Sequence, residues 1–204
     1  LARPLALRLP TRWNSCKADA SLDRTHGTRI MVIWLVGLSA AGKTTIGRRL
    51  YDIRKRRNAA TVLVDGDEIR RIFKHDRHPD AYSVEGRRAN AERIVELCAW
   101  LDGQGIDVVC CVLCIFPEVL SENRQRFSDY FEVFVDVPLE IAERRDAKGV
   151  YGPARRGESA NVVGLDIPFP RPEGADMVID NSQEGKDGGA LAAEIEAALG
   201  ARQA

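Results

Sequence analysis

Along residues 30–199, apolar and polar positions follow two alternating rhythms. A continuous apolar run at 30–36 predicts a strand buried on both faces, the pattern of a parallel sheet, and mostly apolar stretches at 61–64, 106–115, 132–137 and 177–180 predict four more strands. Between them, apolar positions recur every three or four residues. Ile46, Leu50 and Ile53 mark one face of a predicted helix over 43–57. Ile94, Leu97, Cys98 and Leu101 mark another over 86–102, closed by Gly103 and Gly105. Shorter helices are predicted over 68–73, 118–128, 139–146 and 190–199, and residues 74–84 read as a loop. Residues 147–175 hold many Gly, Pro and charged positions with little periodicity. A stretch of that length without structure is commonly a functional lid. Repeated strand–helix units predict an α/β fold: a three-layer α/β/α sandwich on a mostly parallel five-stranded sheet, with a lid segment. No internal repeat interrupts the pattern.

Composition narrows the class without naming a function. The 204 residues are 45% apolar and 29% charged, ordinary for a soluble globular domain. No run of about 18 apolar residues is present, so no helix is expected to span a membrane. Thirty basic groups balance thirty acidic ones, and a neutral total argues against a general nucleic-acid binder. The balance is uneven along the chain. Residues 1–30 carry six basic and two acidic groups, leaving 24 basic against 28 acidic in the other 174 residues. Residues 1–30 lack a periodic apolar face, and no acidic group precedes Asp19. They read as a disordered or non-native leader or an Arg-rich transit peptide, and are set apart from a single domain over 31–204.

Five cysteines, four of them between Cys98 and Cys114, suit an intracellular, cytoplasmic protein. Cys111 and Cys114 form a C-x-x-C on a predicted strand. Side chains three apart on a strand face opposite ways, so the pair reads as core thiols rather than a metal site.

The strongest chemical signal is Gly37-Leu-Ser39-Ala40-Ala41-Gly42-Lys43-Thr44, which satisfies G-x-x-x-x-G-K-[ST] between a predicted strand and a predicted helix. Glycines let the backbone curl so that successive N–H groups face an anion, and the helix N-terminus adds partial positive charge. Lys43 supplies a mobile cation for the β- and γ-phosphates, and Thr44 offers a hydroxyl to Mg²⁺. The segment is therefore read as a nucleoside triphosphate cradle. A second cluster, Asp65-Gly66-Asp67 with Arg70, follows the second strand at the same sheet edge. Asp67 is placed to meet an acceptor hydroxyl and Asp65 to organise magnesium-bound water. Arg70, one helical turn on, suits an anionic acceptor. The plainer alternative makes Asp67 a helix N-cap and Arg70 a surface residue.

The ordered set Gly37–Thr45, Val64-Asp-Gly-Asp-Glu-Ile-Arg70 and Arg144-Arg-Asp-Ala-Lys-Gly-Val-Tyr151 resembles the adenylylsulfate kinases. Pro138-Leu139-Glu140, Ala154-Arg155 with Gly157-Glu158, and Gly164-Leu-Asp166 extend the resemblance over about residues 31–181. It implies a P-loop NTPase-type fold and transfer of the γ-phosphate of ATP, with Mg²⁺, to the ribose 3′-hydroxyl of adenylyl sulfate. It implies that Asp67 serves the acceptor hydroxyl, that Arg70, Arg87 and Asn90 hold the acceptor, and that Lys148 sits in a lid over both substrates. Arg144 and Arg145 would neutralise nucleotide phosphates. The family is commonly dimeric, which makes a homodimer an expectation as well.

Departures cluster on the acceptor side. Phe116-Pro117-Glu118-Val119 stands where the family carries Ser-Pro-Tyr-Arg, and Val162-Val163-Gly164 where it carries Phe-Thr-Gly. One stacking ring over the acceptor base is thereby lost, while Tyr82 stands for the other. Gly86 replaces an Asp before Arg87, and Glu92 one of two arginines. The lid Asn161-Val-Val-Gly-Leu-Asp-Ile167 also resembles a relative acting on cytidine diphosphoramidate. The expected acceptor pocket is lined by Tyr82, Val162 and Phe116. A non-catalytic ATP-binding switch is the remaining alternative, disfavoured because a switch needs no acceptor site.

Overall fold

A computed structural model describes residues 29–183 and 187–203, so most of the basic leader, residues 1–28, lies outside the described residues. The five strands are β1 (Val32–Val36), β2 (Thr61–Asp65), β3 (Asp107–Val112), β4 (Tyr130–Asp136) and β5 (Met177–Asp180). They form one sheet in the order β2-β3-β1-β4-β5. Every pairing is parallel, so the sheet is wholly rather than mostly parallel. β1 lies at the centre with all five residues buried, and Trp34 is in register with Cys110 on one side and Glu132 on the other. The continuous apolar run of β1 is the consequence of burial on both faces, whereas the edge strand β5 leaves Val178 exposed.

The helices are α1 (Lys43–Arg57), α2 (Gly66–Ile72), α3 (Val84–Asp102), α4 (Pro117–Arg126), α5 (Leu139–Arg144), α6 (Tyr151–Arg155) and α7 (Gly188–Gln203). α1 begins where predicted because Gly42, its N-cap, holds φ 95°, a left-handed conformation open to glycine. It ends on four basic residues, Arg54 to Arg57, which suit the negative end of the helix dipole. Two predicted boundaries are corrected. The third strand stops at Val112 instead of 115, which puts Cys114 beyond the strand, although both Cys111 and Cys114 are buried. The segment 147–175 is not structureless: it contains α6 and a bridge between Val163 and Ile167. α6 spans five residues, too short for a helical period to show.

At the amino ends of the strands, a buried ionic staple joins the outer layer to the sheet. Arg54 and Asp107, 1% and 0% exposed, pair with each other, and Arg54 also reaches Glu196 on α7 at 3.3 Å. Asp107 accepts a further bond from the Met31 backbone N–H. This network lies at the edge of the sheet opposite the carboxyl ends of β1 and β2. It therefore leaves that second edge free for chemistry.

Candidate active site

The carboxyl ends of β1, β2 and β3 open into a cleft of about 920 Å³. Such a crevice forms where chain connections leave a central parallel strand in opposite directions. Gly42, Lys43, Thr44 and Thr45 line one half, with Ser39 and Ala40 above them. Asp67, Arg70, Tyr82, Arg87, Asn90 and Val162 line the other, and Asp65 and Lys148 lie between.

The phosphate-loop half is held by side-chain hydrogen bonds from Lys43 and Thr44. Lys43 Nζ donates to the Leu38 carbonyl at 2.6 Å. Burial brings the Lys43 ammonium down to about 8, opposed by nearby negative groups that include Asp67 and Asp65. Thr44 Oγ1 donates to Asp65 Oδ2 at 2.6 Å, so a hydroxyl from α1 and a carboxylate from β2 form one oxygen pair. Oxygen donors of this kind suit a hard divalent cation such as Mg²⁺. Asp65, not Asp67, is the N-cap of α2: its Oδ1 accepts from the N–H groups of Asp67 and Glu68. The Asp67 side chain is thereby left to face the cleft, where Lys148, from the segment 147–175, pairs with it. Partial desolvation inside the cleft would raise the Asp67 carboxyl, but the Lys148 bond and charge, with Lys43 and Arg70 behind them, outweigh that and hold it below the usual carboxylate range. The same bond holds Lys148 above the ordinary lysine value.

Arg70 is buried rather than a surface residue. Its guanidinium donates to the Ala81 carbonyl and lies 4.8 Å from the Tyr82 ring centroid. Its Nε has no partner. Arg87 ties two walls together, donating Nε to the Tyr82 carbonyl at 2.9 Å and Nη2 to the Asn161 carbonyl at 2.8 Å. Burial pushes both guanidiniums down, with Arg93 acting against Arg70 and Arg70 against Arg87. Arginines nevertheless stay charged, so close cations with few carboxylate partners favour an incoming anion. Asn90, also buried, donates to the Gly66 carbonyl at 3.2 Å and leaves its Oδ1 without a partner.

Four expected residues fall elsewhere. Phe116 is buried, does not line the cleft, and is covered by the Arg88 guanidinium 4.1 Å from its ring centroid. The pocket of Tyr82, Val162 and Phe116 is therefore corrected to Tyr82 and Val162. Arg144, at the end of α5, is exposed and also off the cleft. Its neighbour Arg145 lines it and donates to the carbonyls of Asn181, Ser182 and Gln183. Gly37 and Ala41 belong to the loop but stand behind its inner surface.

The structure adds residues that sequence reasoning missed. Trp34, Cys111 and Cys114 line the floor of the cleft. Burial pushes the thiols up, Cys111 to about 12 and Cys114 to about 11, so neither is a ready nucleophile or metal ligand. Asn181, just past β5, donates to the Ala41 carbonyl at 2.9 Å. Its place after the carboxyl end of a parallel strand was the available signal.

The profile of the adenylylsulphate kinase family matches residues 29–180. The chain is 38% identical over 151 residues to the cytidine diphosphoramidate kinase of Campylobacter jejuni, covering 74% of this chain and 86% of that one. It is also 38% identical over 155 residues to the adenylyl-sulfate kinase of Paraburkholderia xenovorans, covering 74% and 84%. Among solved structures, the Mycobacterium tuberculosis APS kinase in complex with AMPPNP and APS superposes with a TM-score of 0.73 at 28% identity, covering 85% of this chain and 99% of that one.

Proposed function

The chain belongs to the adenylylsulfate kinase family and is an ATP-dependent nucleotide kinase, and we propose that its acceptor is the ribose 3′-hydroxyl of adenylyl sulfate. One observation carries the reading: Lys43, Asp67 and Lys148 meet at the middle of a single cleft, with a phosphate loop on one side and Arg70 and Arg87 on the other. A donor triphosphate on the loop would point its last phosphate toward Asp67. An acceptor with an anionic conjugate would set that anion against the two guanidiniums.

Phosphoryl transfer asks little covalent chemistry of the protein and much positioning and charge stabilisation. The loop amides and Lys43 hold the donor phosphates. Asp67 receives the acceptor hydroxyl and orients its oxygen for in-line attack. Lys148, already paired with Asp67, brings the lid over the reacting groups and excludes water that would hydrolyse ATP. Thr44 and Asp65 would hold Mg²⁺, which supplies charge neutralisation on the phosphates when bound.

A second reading has a specific observation behind it. Val162 stands where the resemblance expects a stacking ring, leaving Tyr82 as the ring of the acceptor half. A base–aromatic stack contributes about 1–3 kcal/mol, so a one-sided stack weakens the grip on a purine. A cytidine diphosphoramidate-type acceptor, with its smaller ring, is the alternative. ADP release measured side by side with adenylyl sulfate and with a cytidine diphosphate conjugate decides between them. Turnover with the second and not the first overturns the adenylyl sulfate assignment, and turnover with neither overturns both.

A further inference from the structure

In a phosphate-binding loop the inward N–H groups work only if each peptide plane keeps its carbonyl turned outward. Two of these planes are held from outside the loop. The Tyr151 hydroxyl donates to the Ser39 carbonyl at 3.2 Å, and the Asn181 side-chain amide donates to the Ala41 carbonyl at 2.9 Å. The Ser39 carbonyl belongs to the plane that carries the Ala40 N–H, and the Ala41 carbonyl to the plane that carries the Gly42 N–H. These planes adjoin the two left-handed residues of the loop, Ala40 at φ 58° and Gly42 at φ 95°. Left-handed backbone is costly for a residue with a Cβ, so Ala40 in particular needs its neighbours to hold it.

Both anchors are themselves fixed. Tyr151 is 1% exposed and opens α6, with its backbone N–H on Asp146 Oδ2 at 2.7 Å. Asn181 is 9% exposed; its N–H donates to the Asp136 carbonyl at 3.0 Å, and its own carbonyl accepts from Arg145 at 2.6 Å. Contact with the loop is close enough that a Cβ on Gly42 would sit 2.6 Å from Asn181 Nδ2. Tyr151 comes from the lid and Asn181 from the far edge strand, so each ties a distant element to the cradle.

We infer that Asn181 and Tyr151 are positioning residues that set the two peptide planes of the phosphate loop and so tune its grip on the triphosphate. This rests on the reading of the loop as the ATP site. Neither side chain needs to touch ATP; each acts through a carbonyl on the outer surface of the loop.

Asn181→Asp tests this at constant shape, because it sets a carboxylate oxygen against the Ala41 carbonyl in place of a donor. Tyr151→Phe removes one hydroxyl. Each variant is expected to raise the KM for ATP, Asn181→Asp about tenfold and Tyr151→Phe about threefold, with the acceptor KM unchanged. In Asn181→Asp the defect should shrink relative to the parent protein as pH falls toward the carboxyl's own range, because a protonated carboxyl can donate again. A purely structural role would lower the melting temperature and leave this pH-dependent split absent. Unchanged ATP KM in both variants, or equal loss for ATP and acceptor, overturns the inference. Absence of ATP binding by the parent protein in calorimetry would instead overturn the assignment of the loop itself.

Discussion

Lys148 reaches the Asp67 carboxylate from 81 positions along the chain, forming an ion pair in the cleft. Both side chains remain largely exposed, at 63% and 64%, so the contact is screened and can open at little cost. A strong bond here would hold Asp67 away from an acceptor hydroxyl. A weak one keeps the carboxylate ionised and Lys148 near, and would still yield to the proposed acceptor.

Asp67→Asn retains the size of the side chain and removes the charge proposed to receive the hydroxyl proton. Turnover should fall about a hundredfold or more, the range for a lost acid–base group, while the KM for ATP changes little. Steady-state kinetics with ATP and acceptor varied separately checks this. Normal turnover would take Asp67 out of the reaction.

The free protein should lose affinity for ATP as pH rises through about 8, because Lys43 is brought down to about 8 and sheds its positive charge above that value. The profile of kcat/KM for ATP should therefore bend downward there. Turnover at saturating ATP should hold to higher pH, since bound phosphates keep Lys43 protonated. Asp67 is shifted the other way, below the ordinary carboxylate range, and so contributes no loss of activity near neutrality. A kcat/KM profile that stays flat well beyond pH 8 would contradict the Lys43 shift.

Gly86 departs from the family pattern, and the structure gives the reason. A Cβ at that position would collide with the Asp80 carbonyl oxygen, and the Ala81 carbonyl lies 3.0 Å away. The segment that carries Tyr82 and accepts from Arg70 thus rests directly on α3. Gly86→Ala should destabilise the protein by about 1–3 kcal/mol, as overpacking does, and raise the acceptor KM without moving the ATP KM. Thermal melts and the two KM values test both parts. Equal KM values in parent and variant would separate Gly86 from acceptor binding.

Arg54→Met should cost about 3–5 kcal/mol, because it strands the Asp107 carboxylate in a buried site. Adding Asp107→Asn should recover part of that loss. Urea denaturation reads the stability. Turnover at 25 °C should be unchanged, since the staple sits at the amino ends of the strands and the cleft at their carboxyl ends. A loss no larger than that of an exposed pair would show that Asp107 finds another partner.

Local rules carried much of this protein. The apolar stretches marked the five strands, most clearly β1, where burial on both faces leaves no polar alternation, and the spacing Gly37 to Thr44 specified the phosphate loop because each residue type has its own task there. Asp67 and Arg70 were legible as a pair because they lie one helical turn apart, while Arg87 and Asn90 were reached only through the family resemblance. Other choices depended on which segments meet in three dimensions. That Asp65 and not Asp67 caps α2, that Phe116 is covered by Arg88, and that Arg145 rather than Arg144 lines the cleft all follow from side-chain directions that short helices and loops do not encode as a period. Asn181 and Tyr151 reach the phosphate loop across 140 and 112 positions. Contacts at such separations come from sheet order and lid placement, so the cradle was written locally while the groups that hold it were decided only by the tertiary fold.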